Sequence, residues 1–305
     1  MSRLTIRHLR DSELKTAGRL VIDSINALFK KNNIDPIRIR VTGPSPFMLH
    51  LKHTDPDGCL GAFEGDRMVG FVSSIIRENQ WYLAFLFIAP GRWGKGIGKK
   101  LLVRALKTAD LTETNLFSLC TFSYNPQAVA LYSSFGMTPY EAILNMKWQH
   151  KNRVKLRVKR PGRKLSIEIV EDYEKLAFIN RLDRENRGLA RPEDHKFFID
   201  NDKTDLIHFL DKGKPVGYAV LYKKGIIAPV STVDPVYLPD MLSACIRYQL
   251  DAACEEITVG CAGSNGDIIR YLLGVGFRVN EIALLVSNKR FGNLNQYLPA
   301  HLAIF

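Results

Sequence analysis

The sequence predicts a mixed α/β fold (α+β, mixed sheet) arranged as two consecutive domains of the same plan, and three observations carry that prediction. Strand and helix patterns succeed one another in both halves, with a hairpin early in each and a strand-loop-helix crossover in the first. The spacing Asn125, Tyr132, Gly136 returns 140 residues later as Asn265, Leu272, Gly276. The chain has 305 residues, 46% of them hydrophobic, which fits two ordinary domains and is long for one.

In order along the first half, Leu4 and Ile6 alternate as a strand over 3–9. Ser12 is then read as the cap of a helix whose apolar face runs through Leu14, Ala17, Val21, Ile25 and Leu28. Pro36, Pro44 and Pro46 break the following region into short helices and loops. His50, His53, Asp55 and Asp57 lie there without a clear ligand geometry, so no metal is expected. Residues 59–63 and 68–76 flank Glu64-Gly65-Asp66 as a hairpin, and a strand over 81–88 runs to Pro90. A helical pattern through Leu101, Leu102, Ala105 and Leu106 follows, then a strand over 116–122, a helix over 126–135 and a strand over 143–148.

Composition bounds the class. With 24% charged residues the chain is neither disordered, collagen-like nor a small disulfide scaffold. No apolar run approaches the roughly 20 residues of a membrane helix, and Met1-Ser-Arg-Leu-Thr-Ile-Arg lacks the apolar stretch of a secretory signal. Cys59, Cys120, Cys245, Cys254 and Cys261 are odd in number and form no Cys-x-x-Cys pair. They point to neither a disulfide framework nor a zinc cage, and a soluble protein of the reducing cytoplasm is expected.

The net charge of +12 is concentrated. Lys151, Arg153, Lys155, Arg157, Lys159, Arg160, Arg163 and Lys164 occur in one stretch without an acid, and without them the charge is +4. Residues 151–164 read as a solvated basic linker, with a surface for an acidic partner as the other reading. No aromatic residue interrupts the stretch, so it lacks a base-stacking platform and nucleic acid is not an expected partner.

The segment Gly94-Lys95-Gly96-Ile97-Gly98 carries the strongest chemistry. Alternate glycines between a strand and a helix expose consecutive backbone N–H groups, and these with the positive helix end make a site for a phosphate or pyrophosphate. Lys95, Lys99 and Lys100 add charge. The spacing is not the G-x-G-x-x-G of a dinucleotide fold, and the Gly-Lys-Ser/Thr of a Walker loop is missing.

About 30 residues later comes Asn125-Pro-Gln-Ala-Val-Ala-Leu-Tyr132-Ser-Ser-Phe-Gly136-Met137. The two motifs in series resemble the GCN5-related N-acetyltransferase (GNAT) superfamily, over residues 3 to about 148. That family's pattern is a strand, a Pro, an (Arg/Gln)-x-x-Gly-x-Gly/Ala loop, then Asn-x-x-Ala-x-x-Leu-Tyr-x-x-x-Gly-Phe. The resemblance implies that backbone amides around Trp93, Gly94, Lys95, Gly96, Ile97, Gly98 and Lys99 bind the pyrophosphate of acetyl-CoA, the acyl-donor substrate. It implies that Leu86, Phe87 and Ile88 splay from the neighbouring strand to pair with the pantetheine amides, with the Ile88 N–H polarising the thioester carbonyl. Asn125 matches a side chain near the pantetheine arm, and also reads as a plain helix cap. Tyr132 matches the tyrosine that protonates the departing thiolate, and also reads as a core tyrosine. A phenol near pKa ~10 suits that role. Two departures stand out. Trp93 replaces the usual Arg or Gln, and the strand around Tyr82 lacks the carboxylate many members use as a base, leaving Glu78 and Glu141 as distant candidates and the base unassigned.

The second half repeats the series from a strand at 165–170 to one at 282–286, with helices over 172–187, 192–199 and 238–254 and from about 265. The 140-residue offset places Asp234, Val236 and Leu238 opposite Gly94, Gly96 and Gly98, and Leu272 opposite Tyr132. Side chains there would block a pyrophosphate and Asp234 would repel it, so a GNAT-like domain that has lost its cofactor site is expected. Asp183, Arg187, Arg191 and His195 read as a solvated helix connection, or else as the lining of a substrate cleft. The domains are placed at 1–150 (catalytic, binding acetyl-CoA), 151–164 (linker) and 165–305 (degenerate). The expected activity is acetyl transfer from acetyl-CoA to a small-molecule or peptide amine by direct attack. The alternative is a non-catalytic CoA-responsive binding protein with an acidic partner. Sequence leaves the oligomeric state open.

Overall fold

A computed structural model of the chain describes residues 3–111, 113–150, 156–158, 162–300 and 302–305. Most of the basic stretch expected as a linker lies outside these residues. Contacts divide the chain into two compact units, residues 1–120 with 124–138, and 121–123 with 139–305. No helix of the described residues is long and apolar enough to cross a membrane.

The first unit begins with β1 (Leu4–His8) and α1 (Leu14–Lys31). Ser12 does not cap α1. It lies in a 3-10 turn, Asp11–Glu13, where the Glu13 carboxylate accepts from the Arg10 backbone N–H at 2.9 Å and pairs with Arg7 at 2.7 Å. The elements α2 (Pro46–Thr54), β2 (Leu60–Glu64), β3 (Arg67–Arg77), β4 (Gln80–Ile88), α3 (Ile97–Leu106), β5 (Leu116–Phe122) and α4 (Pro126–Ser133) follow. The strands lie in the order β1-β2-β3-β4-β5, antiparallel except for the parallel pair β4–β5. Side chains on successive β3 residues serve opposite faces. Phe71 joins Leu14, Ala17, Val21 and Met48 in the core under α1 and α2. Gly70 faces α3 instead, where a Cβ would stand 2.8 Å from Leu101 and 3.3 Å from Ile97. The absent side chain is what lets α3 approach the sheet.

The second unit opens with β6 (Thr138–Gln149), which the sequence reading placed in the first half. It contains β7 (Ser166–Ile169), α5 (Leu176–Asn186), α6 (Pro192–Asp200), β8 (Thr204–Asp211), β9 (Lys214–Tyr222), β10 (Ile226–Thr232), α7 (Leu238–Asp251), β11 (Glu256–Ala262), α8 (Gly266–Val275), β12 (Arg278–Ser287) and β13 (Tyr297–Leu298). The order is β12-β6-β11-β10-β9-β8-β7, with β13 on β10. Antiparallel register from Ile143↔Ala262 to Gln149↔Glu256 seats β6 beside β11, and Met146 and Trp148 pack in this unit's core. The contact boundary therefore precedes the expected domain end at 150 by one strand. Gly217 of β9 repeats the role of Gly70, since a Cβ there would meet Met241 of α7 at 2.6 Å.

Candidate active site

The pairing of β4 with β5 runs from Gln80↔Leu116 to Leu83↔Leu119 and goes no further, although β4 continues to Ile88 and β5 to Phe122. The cause is visible on the other edge of β4. Ser73 pairs with Phe85 and Ser74 with Leu83, so Ala84 is an extra residue, and a bulge of this kind bends the strand that carries it. Beyond the bulge, the Ala89 N–H donates to the Val69 carbonyl at 2.9 Å. Main-chain groups alternate sides along an antiparallel ladder, so those of Leu86 and Ile88 point away from β3, toward the side where β5 has departed. The strand thus opens a wedge whose wall carries main-chain donors and acceptors.

The wedge leads into the glycine loop. After a 3-10 turn at Pro90–Arg92, Gly94 and Gly96 take φ of 76° and 73°, the left-handed region, and Gly96 is the N-cap residue of α3. Nothing lies within 4 Å of the positions a Cβ would take at either glycine. The first turn of α3 has N–H groups without partners inside the helix, and the dipole adds positive potential. Lys95, Lys99 and Lys100 are exposed around it. This end of the first unit thus joins free backbone donors, helix-end potential and three exposed lysines.

Asn125 caps α4, its Oδ1 accepting from the Ala128 N–H at 3.3 Å, so the cap role read from sequence holds and its Nδ2 is not used by the cap. Tyr132 sits about two turns on, only 6% exposed, and burial pushes its phenol above the usual tyrosine value. It therefore stays protonated at neutral pH, the state an acid needs. Trp93 is half-buried, its indole Nε1–H donating to the Ile88 carbonyl at 2.7 Å, with Lys31 Nζ 4.4 Å from the ring centre. Of the two distant carboxylates, Glu78 lies in the turn between β3 and β4 with φ of 49°. Glu141 belongs to the second unit, where it accepts from the Ser264 N–H at 3.1 Å. Tyr82 is buried, hydrogen-bonded to the Cys120 thiol, which burial pushes up to about 12. Asp55 is taken up by an ion pair with buried Arg77 at 2.8 Å, and His53 by Asp11 at 3.1 Å.

Residues 25–137, which hold the wedge, the glycine loop and Tyr132, match the family described as the Acetyltransferase (GNAT) family. This part of the chain is similar to the GNAT family. In fold, the whole chain is similar to a candidate acetyltransferase from Pyrococcus horikoshii, at 15% identity and a TM-score of 0.78, covering 99% of this chain and 96% of that one. It is also similar to a GCN5-related N-acetyltransferase from Sphaerobacter thermophilus, at 12% identity and a TM-score of 0.68, covering 96% and 98%. A tandem GNAT protein from the clavulanic acid biosynthesis pathway aligns at 14% identity with a TM-score of 0.57, over 93% of this chain and 98% of that one. No curated protein matches the chain in sequence. The chain is a tandem GNAT fold.

Among the described residues, the second GNAT fold keeps the plan and differs at the loop and the wedge. Asn265 caps α8 as Asn125 caps α4, accepting from the Ile268 N–H at 3.3 Å. The loop is not merely substituted, as the fixed offset implied; it is shorter. Here the 3-10 turn Pro235–Tyr237 leads directly into α7, whereas Trp93 to Gly96 separate the corresponding turn from α3. Asp234 Oδ1 accepts from the Val236 N–H at 2.9 Å, consuming a donor of that turn.

The corresponding wedge is filled by the chain itself. Pairing of β10 with β11 stops at Ile227↔Val259, and β13 takes the vacated edge, with Val230↔Leu298 and Ser231↔Tyr297. The Thr232 N–H donates to the Gln296 carbonyl at 3.1 Å, and Asn265 Nδ2 donates to the Leu294 carbonyl at 3.2 Å. Nothing in the short apolar segment around Tyr297 signals this pairing, because strand periodicity does not name a partner.

Asp183, Arg187, Arg191 and His195 are neither solvated nor on a surface. All are at most 1% exposed, inside the second unit. Arg191 Nε and His195 Nε2 donate to Asp183 Oδ2 at 3.1 and 2.9 Å, Tyr218 donates to Oδ1, and Arg191 also reaches the Tyr297 hydroxyl at 2.6 Å. Charge density suggested exposure, but mutual pairing lets these groups be buried together.

Proposed function

We propose that the first GNAT domain transfers the acetyl group of acetyl-CoA to an amine of a small molecule or peptide. The observation that carries this reading is the wedge beyond Leu83↔Leu119, opening directly into the glycine loop. The second unit supports it with an internal parallel. Where its wedge is filled, the occupant is an amide backbone, held by the strand edge at Val230 to Thr232 and by Asn265. Leu86 to Ile88 and Asn125 stand at the matching places in the first unit, and the pantetheine arm, with its two amides, offers the same groups.

In this reading the loop amides of residues 93–99 hold the pyrophosphate, and the Ile88 N–H donates to the thioester carbonyl, where negative charge develops. The amine lone pair attacks the carbonyl carbon, the carbon–sulfur bond breaks, and the thiolate takes the proton of Tyr132. The nitrogen gives up a proton as the amide forms, and one returns to the phenolate. Calorimetry with acetyl-CoA, followed by CoA-release assays over a panel of amines, tests the reading. Saturable binding with amine-dependent release of CoA is expected, and absence of binding overturns it.

One observation favours a second reading. The strand around Tyr82 carries no carboxylate, and Tyr82 itself is buried against Cys120. A CoA-responsive binding protein would bind acetyl-CoA and release no CoA with any amine.

A further inference from the structure

The Ile88 carbonyl is already taken by two side chains. The Trp93 indole donates to it at 2.7 Å, and Ser24 Oγ on α1 lies 3.0 Å from it and 2.7 Å from the Leu20 carbonyl. Ser24 is 5% exposed. Its single hydroxyl proton can serve either carbonyl, so the indole is the donor committed to Ile88. Trp93 is held in turn by Lys31, whose ammonium lies 4.4 Å from the ring centre. Ile88 is the last residue of a strand that has lost one neighbour, where backbone orientation is least restrained.

The second unit shows the same device with its wedge occupied. Asn186 of α5 stands where Ser24 stands in α1, each helix entered by a 3-10 turn and each residue ten positions beyond the first helical leucine. Asn186 Nδ2 donates to the carbonyl of Thr232, the last residue of β10, at 2.7 Å. The N–H of that same Thr232 donates into the wedge, to the Gln296 carbonyl. A residue with its carbonyl tied to a helix and its N–H facing an acyl oxygen is the arrangement the first domain requires at Ile88.

We infer that Trp93 and Ser24 are positioning residues, which hold Ile88 so that its N–H is aimed at the thioester carbonyl of acetyl-CoA. The inference rests on the proposed acetyl-CoA site. With its carbonyl engaged, Ile88 presents a donor and no competing acceptor to the wedge. An indole does this where the family's usual Arg or Gln stands, and neither side chain touches the reacting atoms.

The test needs no identified amine. Acetyl-CoA labelled with 13C at the thioester carbonyl is bound to the full-length protein, and the carbonyl stretch is read by isotope-edited infrared difference spectroscopy. Coenzyme A affinity is measured in parallel by calorimetry. In the wild type the stretch should move to lower wavenumber than in free acetyl-CoA. Trp93→Phe keeps the backbone amide and a ring beside Lys31 and removes only the indole donor, so it should lose the larger part of that shift while CoA binding stays measurable and saturable. Adding Ser24→Ala should remove the remainder. An unchanged shift in the Trp93→Phe, Ser24→Ala double variant overturns the inference, as does a loss of CoA affinity as large as the loss of shift, which would make Trp93 a ligand contact. If the double variant fails to fold, Trp93→Phe alone decides. A wild type that binds no acetyl-CoA defeats the proposed function, and this inference with it.

Discussion

Tyr132 and Gly96 make separable demands on the site. Tyr132 is buried with its phenol pushed up, so it stays protonated over the whole neutral range. Tyr132→Phe keeps the ring and removes the proton. Turnover should fall by about 100-fold or more, while CoA affinity stays unchanged, because the lost interaction matters only as the thiolate leaves. Equal turnover in wild type and variant, with product release shown not to limit the rate, would remove Tyr132 from the mechanism. In the proposed reading Gly96 acts on binding. Its φ of 73° is costly for any other residue, and a carboxylate there would face the pyrophosphate. Gly96→Asp should abolish CoA binding in calorimetry, and Gly96→Ala should weaken it by less.

At the scale of elements, much was legible because periodicity and glycine spacing report local geometry. The strand over 116–122 and the cap at Asn125 appear as expected. What the sequence could not say is which sheet a strand joins or whether charges pair. Residues 143–148 alternate as any strand does, yet Met146 and Trp148 lie in the second unit's core. Trp148→Ala should therefore cost about 3–5 kcal/mol, with amide-exchange protection lost first along β11 and not along α3. Ser24 and Asn186 were missed because one buried polar residue on an apolar helix face leaves no pattern. The Asp183 cluster was misread for the opposite reason, four charged residues being taken as exposed. Its burial has a pH consequence. Desolvation lowers the His195 pKa, and Nδ1 has no partner that could accept a second proton's hydrogen bond. Below about pH 6.5 the unfolded chain therefore gains a proton that the folded one refuses, and stability falls as pH falls. Burial raises the Asp183 carboxyl, but Arg191, His195 and Arg187 together outweigh it and hold the group at about 2, so a further loss follows below about pH 4. His195→Gln keeps a donor toward Asp183 and cannot titrate. Urea unfolding at pH 7 and pH 5 should show a smaller difference for the variant than for the wild type.

The whole molecule repeats one fold, and in the proposed reading only the first copy holds CoA. A second CoA would need three things at β10 and α7, and each is altered by a different part of the chain. The loop between the 3-10 turn and α7 is gone, Asp234 has taken the Val236 N–H, and residues 294–298 lie along the strand edge and against Asn265. The third change is the decisive one, since a ligand would have to displace a segment that includes fully buried Tyr297 and Leu298. Burial of two such side chains is worth on the order of 3–6 kcal/mol, which a competing pantetheine arm would first have to overcome. The full chain should therefore bind one CoA per polypeptide, and Gly96→Asp should eliminate all of it and not half. Calorimetry that finds two sites in the wild type, or one surviving site in Gly96→Asp, would show that the second wedge opens. In that event residues 294–298 would be a displaceable plug, and their amide exchange should quicken when CoA is added.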